Sequence, residues 1–185
     1  MSDDGALAAL EAMADDELWS EFVKGDDAAI RVLERRYRDE LYWYVLLSTG
    51  KEDRTAVHLR DAWARLAAYR KPYDGFDSFR GWLYAVVTQN AVPAAHPELF
   101  GLADLVDELK RPELKDRRAR LFFHIVDMTR AERQPFLLVT LAGLSVEQAA
   151  QACNFTPRRV RDALAMAFRG LSGSDLFRGE GAGGV

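Results

Sequence analysis

Three arginines near the carboxyl end of the chain have side chains suited to nucleic-acid recognition. Arg158, Arg159 and Arg161 follow the pair Thr156-Pro157 and open a segment whose apolar residues have helical spacing. A guanidinium donates hydrogen bonds in a fixed fork, which matches phosphate oxygens or the O6 and N7 atoms of guanine. Positive charge in the first turn of a helix opposes the helix dipole, so a structural role explains these arginines poorly. We predict that they contact DNA, with a solvated helix face as the alternative.

The elements around these arginines follow one another in the order of a helix-turn-helix. Residues 128–171 read as an apolar helix, a Gly-Leu-Ser turn, a short helix, a second turn at 154–156 and a longer helix that begins with the arginines. Thr129 and Glu132 have the spacing of a capping box at the start of the first helix, and Pro135 predicts a kink within it. In a helix-turn-helix the second helix enters the major groove and its first residues contact base edges.

The charge of the chain is unevenly distributed. The chain has 185 residues and a formal net charge of −4. The first 27 residues contain nine acidic residues and one basic residue, a net charge of −8, whereas the remainder contains 20 acidic and 24 basic residues, a net charge of +4. The mildly basic body is compatible with a DNA partner. The acidic head is a candidate shield of a basic surface against nonspecific DNA.

The sequence lacks the residue patterns that several kinds of chemistry require. Cys153 is the single cysteine, so no internal disulfide can form, and a reducing compartment fits best. The three histidines, His58, His96 and His124, are scattered and have no second ligand at metal-binding spacing. There is no Gly-rich phosphate loop, no Gly-x-Ser-x-Gly elbow, no signal peptide and no long apolar run. We therefore expect a cytoplasmic protein that is not an enzyme, uses no cofactor or metal and does not insert into a membrane.

Hydrophobic periodicity predicts an all-α protein with two small helical domains joined by a flexible linker, the second domain being the helix-turn-helix. The predicted boundaries are an acidic flexible head at 1–14, a first domain at 15–91, a linker at 92–112, a second domain at 113–171 and a Gly-rich tail at 172–185. The head is expected to fray or to form a weak helix. Either Asp15 or Asp16 is expected to act as the N-cap of the helix that follows.

Most aromatic side chains of the first domain are expected in its core, because large rings at helical spacing are more often buried than exposed. The residues with this expectation are Trp19, Tyr37, Trp63, Phe79 and Trp82. Trp43 and Tyr44 continue the second long helix, and their positions are left open between the core and an interface.

Two separated blocks of the chain together resemble bacterial RNA polymerase sigma factors of the extracytoplasmic-function type. The first block consists of Asp16-Glu-Leu-Trp19, Phe22, Gly25-Asp26, Ala29-Ile30, Leu33, Tyr37, Leu59-Arg-Asp-Ala-Trp63, Phe79-Arg-Gly-Trp82-Leu-Tyr84 and Asn90. The second block is Gly143-Leu-Ser-Val-Glu-Gln-Ala149, followed by the helix that begins with the arginines. The resemblance covers the chain from about residue 15 to residue 171.

This resemblance implies a transcription initiation factor. In such proteins the first domain docks on the clamp helices of the β′ subunit of core RNA polymerase, opens the −10 element and captures unpaired bases. The second domain places its last helix in the major groove of the −35 element. The implied partners are core RNA polymerase (β′ clamp helices and β flap), promoter DNA and an anti-sigma factor.

The resemblance also assigns roles to residues of this chain. The implied polymerase-binding residues are Val57, Leu59, Arg60 and Asp61. The implied promoter-opening residues lie between Trp82 and Asn90 and are Trp82, Tyr84, Gln89 and Asn90. The implied DNA-binding residues of the second domain are Ser145, Thr156, Arg158, Arg159 and Arg161.

Two other functions remain open. After Asn90 the sequence continues Ala-Val-Pro-Ala-Ala-His-Pro, without the basic residues that grip DNA in the family. That stretch favours a sigma-like mimic or adaptor, which binds an anti-sigma factor or polymerase with little DNA binding of its own. A third hypothesis is an ordinary helix-turn-helix regulator, which the well-matched first block disfavours. We prefer the initiation factor.

Overall fold

The computed structural model describes residues 3–49, 52–91, 121, 124–125 and 127–173. The helices are α1 (Asp3–Ala12), α2 (Asp15–Lys24), α3 (Asp27–Thr49), α4 (Glu52–Tyr69), α5 (Phe79–Ala91), α6 (Arg130–Thr140), α7 (Val146–Cys153) and α8 (Pro157–Gly173). No strand occurs among these residues, so the all-α prediction is confirmed. The predicted linker at 92–112, the first residues of the predicted second domain and nearly all of the predicted tail lie outside the described residues. Below, α1 to α5 are called the first unit and α6 to α8 the second unit.

Residues 3–12 of the acidic head form α1, which is the helical one of the two forms expected for it. Leu10 of α1 is buried against the rest of the first unit, with 7% of its surface exposed. The predicted caps of the next helix are wrong: the N-cap of α2 is Ala14, whose backbone N–H donates to the Glu17 carboxylate at 3.0 Å. Asp15 and Asp16 lie within the first turn of α2, where their negative charge suits the helix dipole.

The two carboxylates are used for long-range contacts instead of capping. Asp16 accepts hydrogen bonds from the backbone N–H of Phe79 at 2.7 Å and from the hydroxyl of Tyr73. Asp15 accepts from the Tyr37 hydroxyl and forms an ion pair with Arg36. These bonds attach the start of α2 to the start of α5 and to the middle of α3.

An aromatic cluster forms the core of the first unit. The Trp19 ring lies 5.4 Å from the ring of Phe79 and 4.9 Å from that of Trp82, centroid to centroid. Its indole N–H donates to the Lys71 carbonyl at 3.0 Å, so the polar edge of the buried ring is satisfied. The core prediction is confirmed for Trp19, Tyr37, Trp63, Phe79 and Trp82.

The neighbours Trp43 and Tyr44 point to opposite environments. Tyr44 is fully buried, and its hydroxyl lies 2.7 Å from that of Thr88, which links α3 to α5. Trp43 is 52% exposed, and the Tyr42 ring lies edge-on to it with 5.9 Å between the ring centroids. Consecutive residues on a helix are separated by about 100° around its axis, so one of them can be in the core while the other faces solvent.

Helix ends in the second unit carry the signals that the sequence predicted. The backbone N–H and the hydroxyl of Thr129 both donate to the Glu132 carboxylate, at 3.0 and 2.7 Å, as the capping-box spacing predicted. Pro135 lies within the first two turns of α6 and is buried. Asn154 ends α7 in the left-handed conformation, with φ of 55°, and so turns the chain into α8. Asparagine is one of the few residues that adopt this conformation readily.

The two units pack against each other, with α5 on α7 and α3 on α6. Arg80 of α5 donates through Nε to the Ala142 carbonyl at 2.9 Å and pairs with Glu40 of α3. The amide nitrogens of Gln148 and Gln151 on α7 donate to the Ser78 hydroxyl at 3.3 Å and to the Gly75 carbonyl at 3.1 Å. Helix α7 is therefore fastened to the start of α5 by side-chain hydrogen bonds.

No helix within the described residues has both the length and the apolar character that crossing a bilayer requires.

Candidate nucleic-acid interface

Two residues, Thr156 and Pro157, determine where α8 begins. Pro157 occupies the first helical position, where its missing N–H costs nothing. The hydroxyl of Thr156 accepts a hydrogen bond from the backbone N–H of Arg159 at 3.2 Å, which is the geometry of an N-cap. These two residues fix the direction in which the arginine side chains leave the helix.

A buried stripe on the opposite side of α8 holds that turn in place. The stripe consists of Val160, Ala163, Ala167 and Leu171, which recur at three- and four-residue intervals. Because this face packs on the second unit, the arginines of the first turn are left on the exposed face.

The three arginine side chains differ in how freely they can bind a ligand. The side chain of Arg158 is 91% exposed, and its nearest acid is Asp162 at 4.0 Å. The guanidinium of Arg159 lies 3.8 Å from the centre of the Phe155 ring, a cation–π contact that orients its plane and leaves its edge open. Arg161 instead donates to Glu147 of α7 at 3.0 Å. A phosphate or base has to compete with Glu147 for Arg161 but not for Arg158 or Arg159.

The two predicted hydroxyl groups are already used by the backbone. The Ser145 hydroxyl accepts from the N–H of Gln148 at 3.1 Å, and the Gln148 side chain accepts from the N–H of Ser145 at 3.0 Å. This reciprocal pair is a capping box at the start of α7. Ser145 and Thr156 therefore have structural roles as N-caps of α7 and α8, although both remain exposed to solvent.

The predicted promoter-opening residues are not all accessible. Trp82 and Tyr84 are buried, and the Tyr84 hydroxyl donates to Glu40 at 2.5 Å. Neither ring is open to stacking on an unpaired base in this structure, and the role of the two residues in promoter opening stays a prediction. Asn90 is half-buried and donates to the Val86 carbonyl of its own helix at 2.5 Å, whereas Gln89 is exposed. Of the four predicted residues, Gln89 and the exposed part of the Asn90 side chain are accessible to a ligand.

The predicted polymerase-binding residues form an accessible surface on α4. Val57 is 42% exposed, which is high for an apolar side chain, and Leu59 is half-buried. Arg60 and Asp61 are exposed, with 3.7 Å between their charged groups. Leu59 and Arg60 also line a shallow groove between α4 and α3, together with Glu34, Arg38, Ala56 and Trp63. This mixture of apolar and charged side chains is typical of protein-binding surfaces.

Sequence reasoning missed the residues that join the two units. Arg80, Gln148 and Gln151 have ordinary exposed-helix character in the sequence, and their partners lie more than 60 residues away. Nothing in their local spacing indicates the contact. The neighbouring Gly81 lies close to this contact, because a Cβ added there would lie 3.5 Å from the Gln148 amide nitrogen.

Cys153 lies between the two units, and burial raises the pKa of its thiol to about 12, a rise that the charges of Arg130 and Arg159 only partly offset. Alkylation by iodoacetamide at pH 8 is therefore expected to be on the order of 10³-fold slower in the native chain than in urea, because the thiolate fraction falls tenfold for each unit of pKa. Mass spectrometry of timed samples measures both rates. Native alkylation within tenfold of the rate in urea would show that this thiol is not buried in solution.

No group of His, Cys, Asp and Glu side chains among the described residues is arranged to hold a metal ion.

The sequence matches no protein-family model and no curated protein. Among solved structures, it is similar to CnrH in the complex of CnrH with the cytosolic domain of CnrY. The two chains are 19% identical, and the match covers 86% of this chain and 96% of that chain with a TM-score of 0.62. At this identity the likeness shows a shared fold.

Proposed function

We propose that this chain is a transcription initiation factor of the extracytoplasmic-function sigma type. It binds core RNA polymerase through α4 and directs it to promoters, with α8 reading the −35 element and the exposed end of α5 near the −10 element. The all-helical fold is consistent with that of such factors. The proposal places the protein in the cytoplasm, where bacterial RNA polymerase works.

The observation that carries this proposal is the pair Arg158 and Arg159 at the first turn of α8. Both residues are exposed and neither belongs to the buried stripe. Arg158 has one long ion pair, with Asp162 at 4.0 Å, and Arg159 lies over the Phe155 ring. The first turn of the second helix of a helix-turn-helix is where base contacts are made. A solvated surface does not require two exposed cations at the positive end of a helix dipole.

A second candidate function is a sigma-like adaptor that binds a protein partner with little DNA binding of its own. The burial of Trp82 and Tyr84 favours it, since it leaves α5 with few groups for unpaired bases. The similar chain CnrH is in complex with a cytosolic domain of another protein, which supports an anti-sigma partner for this fold.

Binding to core RNA polymerase tests the proposal. The purified chain is expected to bind core enzyme, and the complex is expected to select a two-part promoter from a DNA library. Val57→Asp should abolish core binding, because it places a charge at the centre of an apolar contact. Trp43→Asp is the matched control, since Trp43 is also an exposed apolar side chain, 52% against 42% for Val57, but lies on α3.

The outcomes separate the candidate functions. Core binding with selection of DNA supports an initiation factor. Core binding without selection supports the adaptor. Absence of core binding by the unmodified chain overturns both polymerase-based functions.

A further inference from the structure

Helix α1 is attached to α3 by a small number of contacts close to its carboxyl end. Leu10 is its one buried side chain among those described, and Glu11 pairs with Arg35 at 3.1 Å. The guanidinium of Arg36 donates to the backbone carbonyls of Glu11 at 3.2 Å and Met13 at 3.1 Å, and it also pairs with Asp15. Arg36 thus satisfies carbonyls that the end of a short helix leaves without partners.

Residues 5–9, 11 and 12 of α1 are exposed. A helix of ten residues that contains Gly5 is marginal by itself in water, so α1 persists through its contacts with α3. Those contacts are few, and one of them, Glu11 with Arg35, is an exposed ion pair, which contributes little free energy. Helix α1 is therefore the part of the first unit that separates from it most easily.

The surface of α3 beside α1 carries what we call the arginine stripe, defined as Arg31, Arg35 and Arg38. Intervals of four and three residues place them along one face of α3, and all three are exposed. Arg31 and Arg38 make no ion pair among the described residues. The stripe lines an open groove whose other wall consists of Leu7, Leu10 and Met13 together with alanines of α1.

We propose that α1 is a displaceable cover and that the face of α3 beneath it, with the arginine stripe, binds an acidic amphipathic helix of a partner protein. Helix α1, which occupies the surface now, has that chemistry. Its Leu10 side chain is buried, and the adjacent Glu11 carboxylate forms an ion pair with Arg35. A partner helix with an apolar residue followed by an acid would make the same contacts. Arg31 and Arg38 would supply further ion pairs that α1 leaves unmade.

Charge on the same surface disfavours nucleic acid as the occupant. Glu34 lies within the arginine stripe, and Glu21 and Asp26 line the groove. These carboxylates repel a phosphate backbone. A partner helix, in contrast, can place its acidic residues beside the arginines and an apolar side chain in the position that Leu10 now occupies. The surface is separate from the first turn of α8, whereas Arg38 and Glu34 also line the groove beside Leu59 and Arg60 of α4. The inference goes beyond the proposed function because it concerns the face of α3 beneath α1, and its test requires neither polymerase nor promoter DNA.

The test uses the full chain and a peptide of residues 1–14, amidated at its carboxyl end, as the probe. In the double variant Leu10→Asp/Glu11→Lys the cover is undocked, because a charge replaces the buried anchor and the ion pair with Arg35 is reversed. The labelled peptide is expected to bind this variant at least about tenfold more tightly than the unmodified chain, in which α1 competes at high effective concentration. Fluorescence anisotropy measures both affinities, and circular dichroism checks that the variant is folded.

A charge exchange provides the matched control. Adding Arg35→Glu to the double variant should abolish binding of the natural peptide and restore binding of a Glu11→Lys peptide. Equal affinity of the natural peptide for the unmodified chain and the folded double variant would overturn the proposal, as would absence of binding to both. Binding of a nonspecific DNA duplex by the double variant, without binding of the peptide, would overturn it in favour of a phosphate-binding surface.

Discussion

The double substitution Arg158→Ala/Arg159→Ala is expected to lower affinity for the upstream promoter element by about 30- to 25,000-fold while leaving affinity for core RNA polymerase unchanged. Each guanidinium contact to a base is worth roughly 1–3 kcal/mol of discrimination. Both side chains are exposed at the first turn of α8, and neither takes part in the buried stripe that holds the helix. The folded chain should therefore lose DNA contacts without losing its structure.

Fluorescence anisotropy with a duplex that carries the selected upstream element measures this loss of affinity. Repeating the titration at several salt concentrations gives the salt dependence of the affinity. If both arginines contact phosphates, the slope of log affinity against log salt should fall by roughly two, whereas loss of base contacts should relax sequence specificity instead. Arg169→Ala is the matched control, because Arg169 is an exposed arginine near the other end of α8. An equal loss for the control, or no loss for the double variant, would contradict a recognition role for the first turn.

The substitution Arg133→Met is expected to raise the free energy of unfolding by about 1–4 kcal/mol, the gain seen when buried charged groups are replaced by apolar side chains of similar volume. Arg133 is 7% exposed, and its Nε and Nη1 atoms have no hydrogen-bond partner within the described part of the chain. Burial lowers the pKa of its guanidinium, and the positive charge of Arg130 lowers it further. Both effects show that the folded chain disfavours the charged form of Arg133. Methionine has no charge, so the substitution removes the cost of burying one.

Thermal and urea unfolding measure this change. For a chain of this size, a gain of 1 kcal/mol should raise the melting temperature by roughly 2–4 °C. Arg169→Met is the control for the substitution itself, since it removes an exposed arginine from another helix. A fall in the melting temperature of Arg133→Met relative to that control would show that the guanidinium has a stabilising partner in solution.

Local signals in the sequence predicted the helices and several of their ends. The spacing of Thr129 and Glu132 predicted the start of α6, and the apolar periodicity predicted the cores of α2 to α5. These features could be predicted because each depends on residues within one or two turns of one another. The same holds for the exposed arginines of α8, whose unfavourable position on the dipole is visible in the sequence alone.

Features that depend on distant partners could not be predicted in this way. Asp16 has the sequence position of a cap, yet its carboxylate binds the Phe79 N–H, 63 residues away. Tyr84 belongs to a recognisable aromatic motif, but its burial is set by Glu40 and by packing between α3 and α5. Polar side chains have many possible partners, and only the fold determines which one is used.

The attachment of α7 to the first unit has a consequence for how the protein responds to solution conditions. Gln148 and Gln151 hold α7 through neutral amides, which neither titrate nor attract counterions. The proposed DNA contacts through Arg158 and Arg159 would be ionic, and such contacts weaken as salt is added. We therefore expect added salt to weaken binding of α8 to DNA while the glutamine hydrogen bonds between the two units persist.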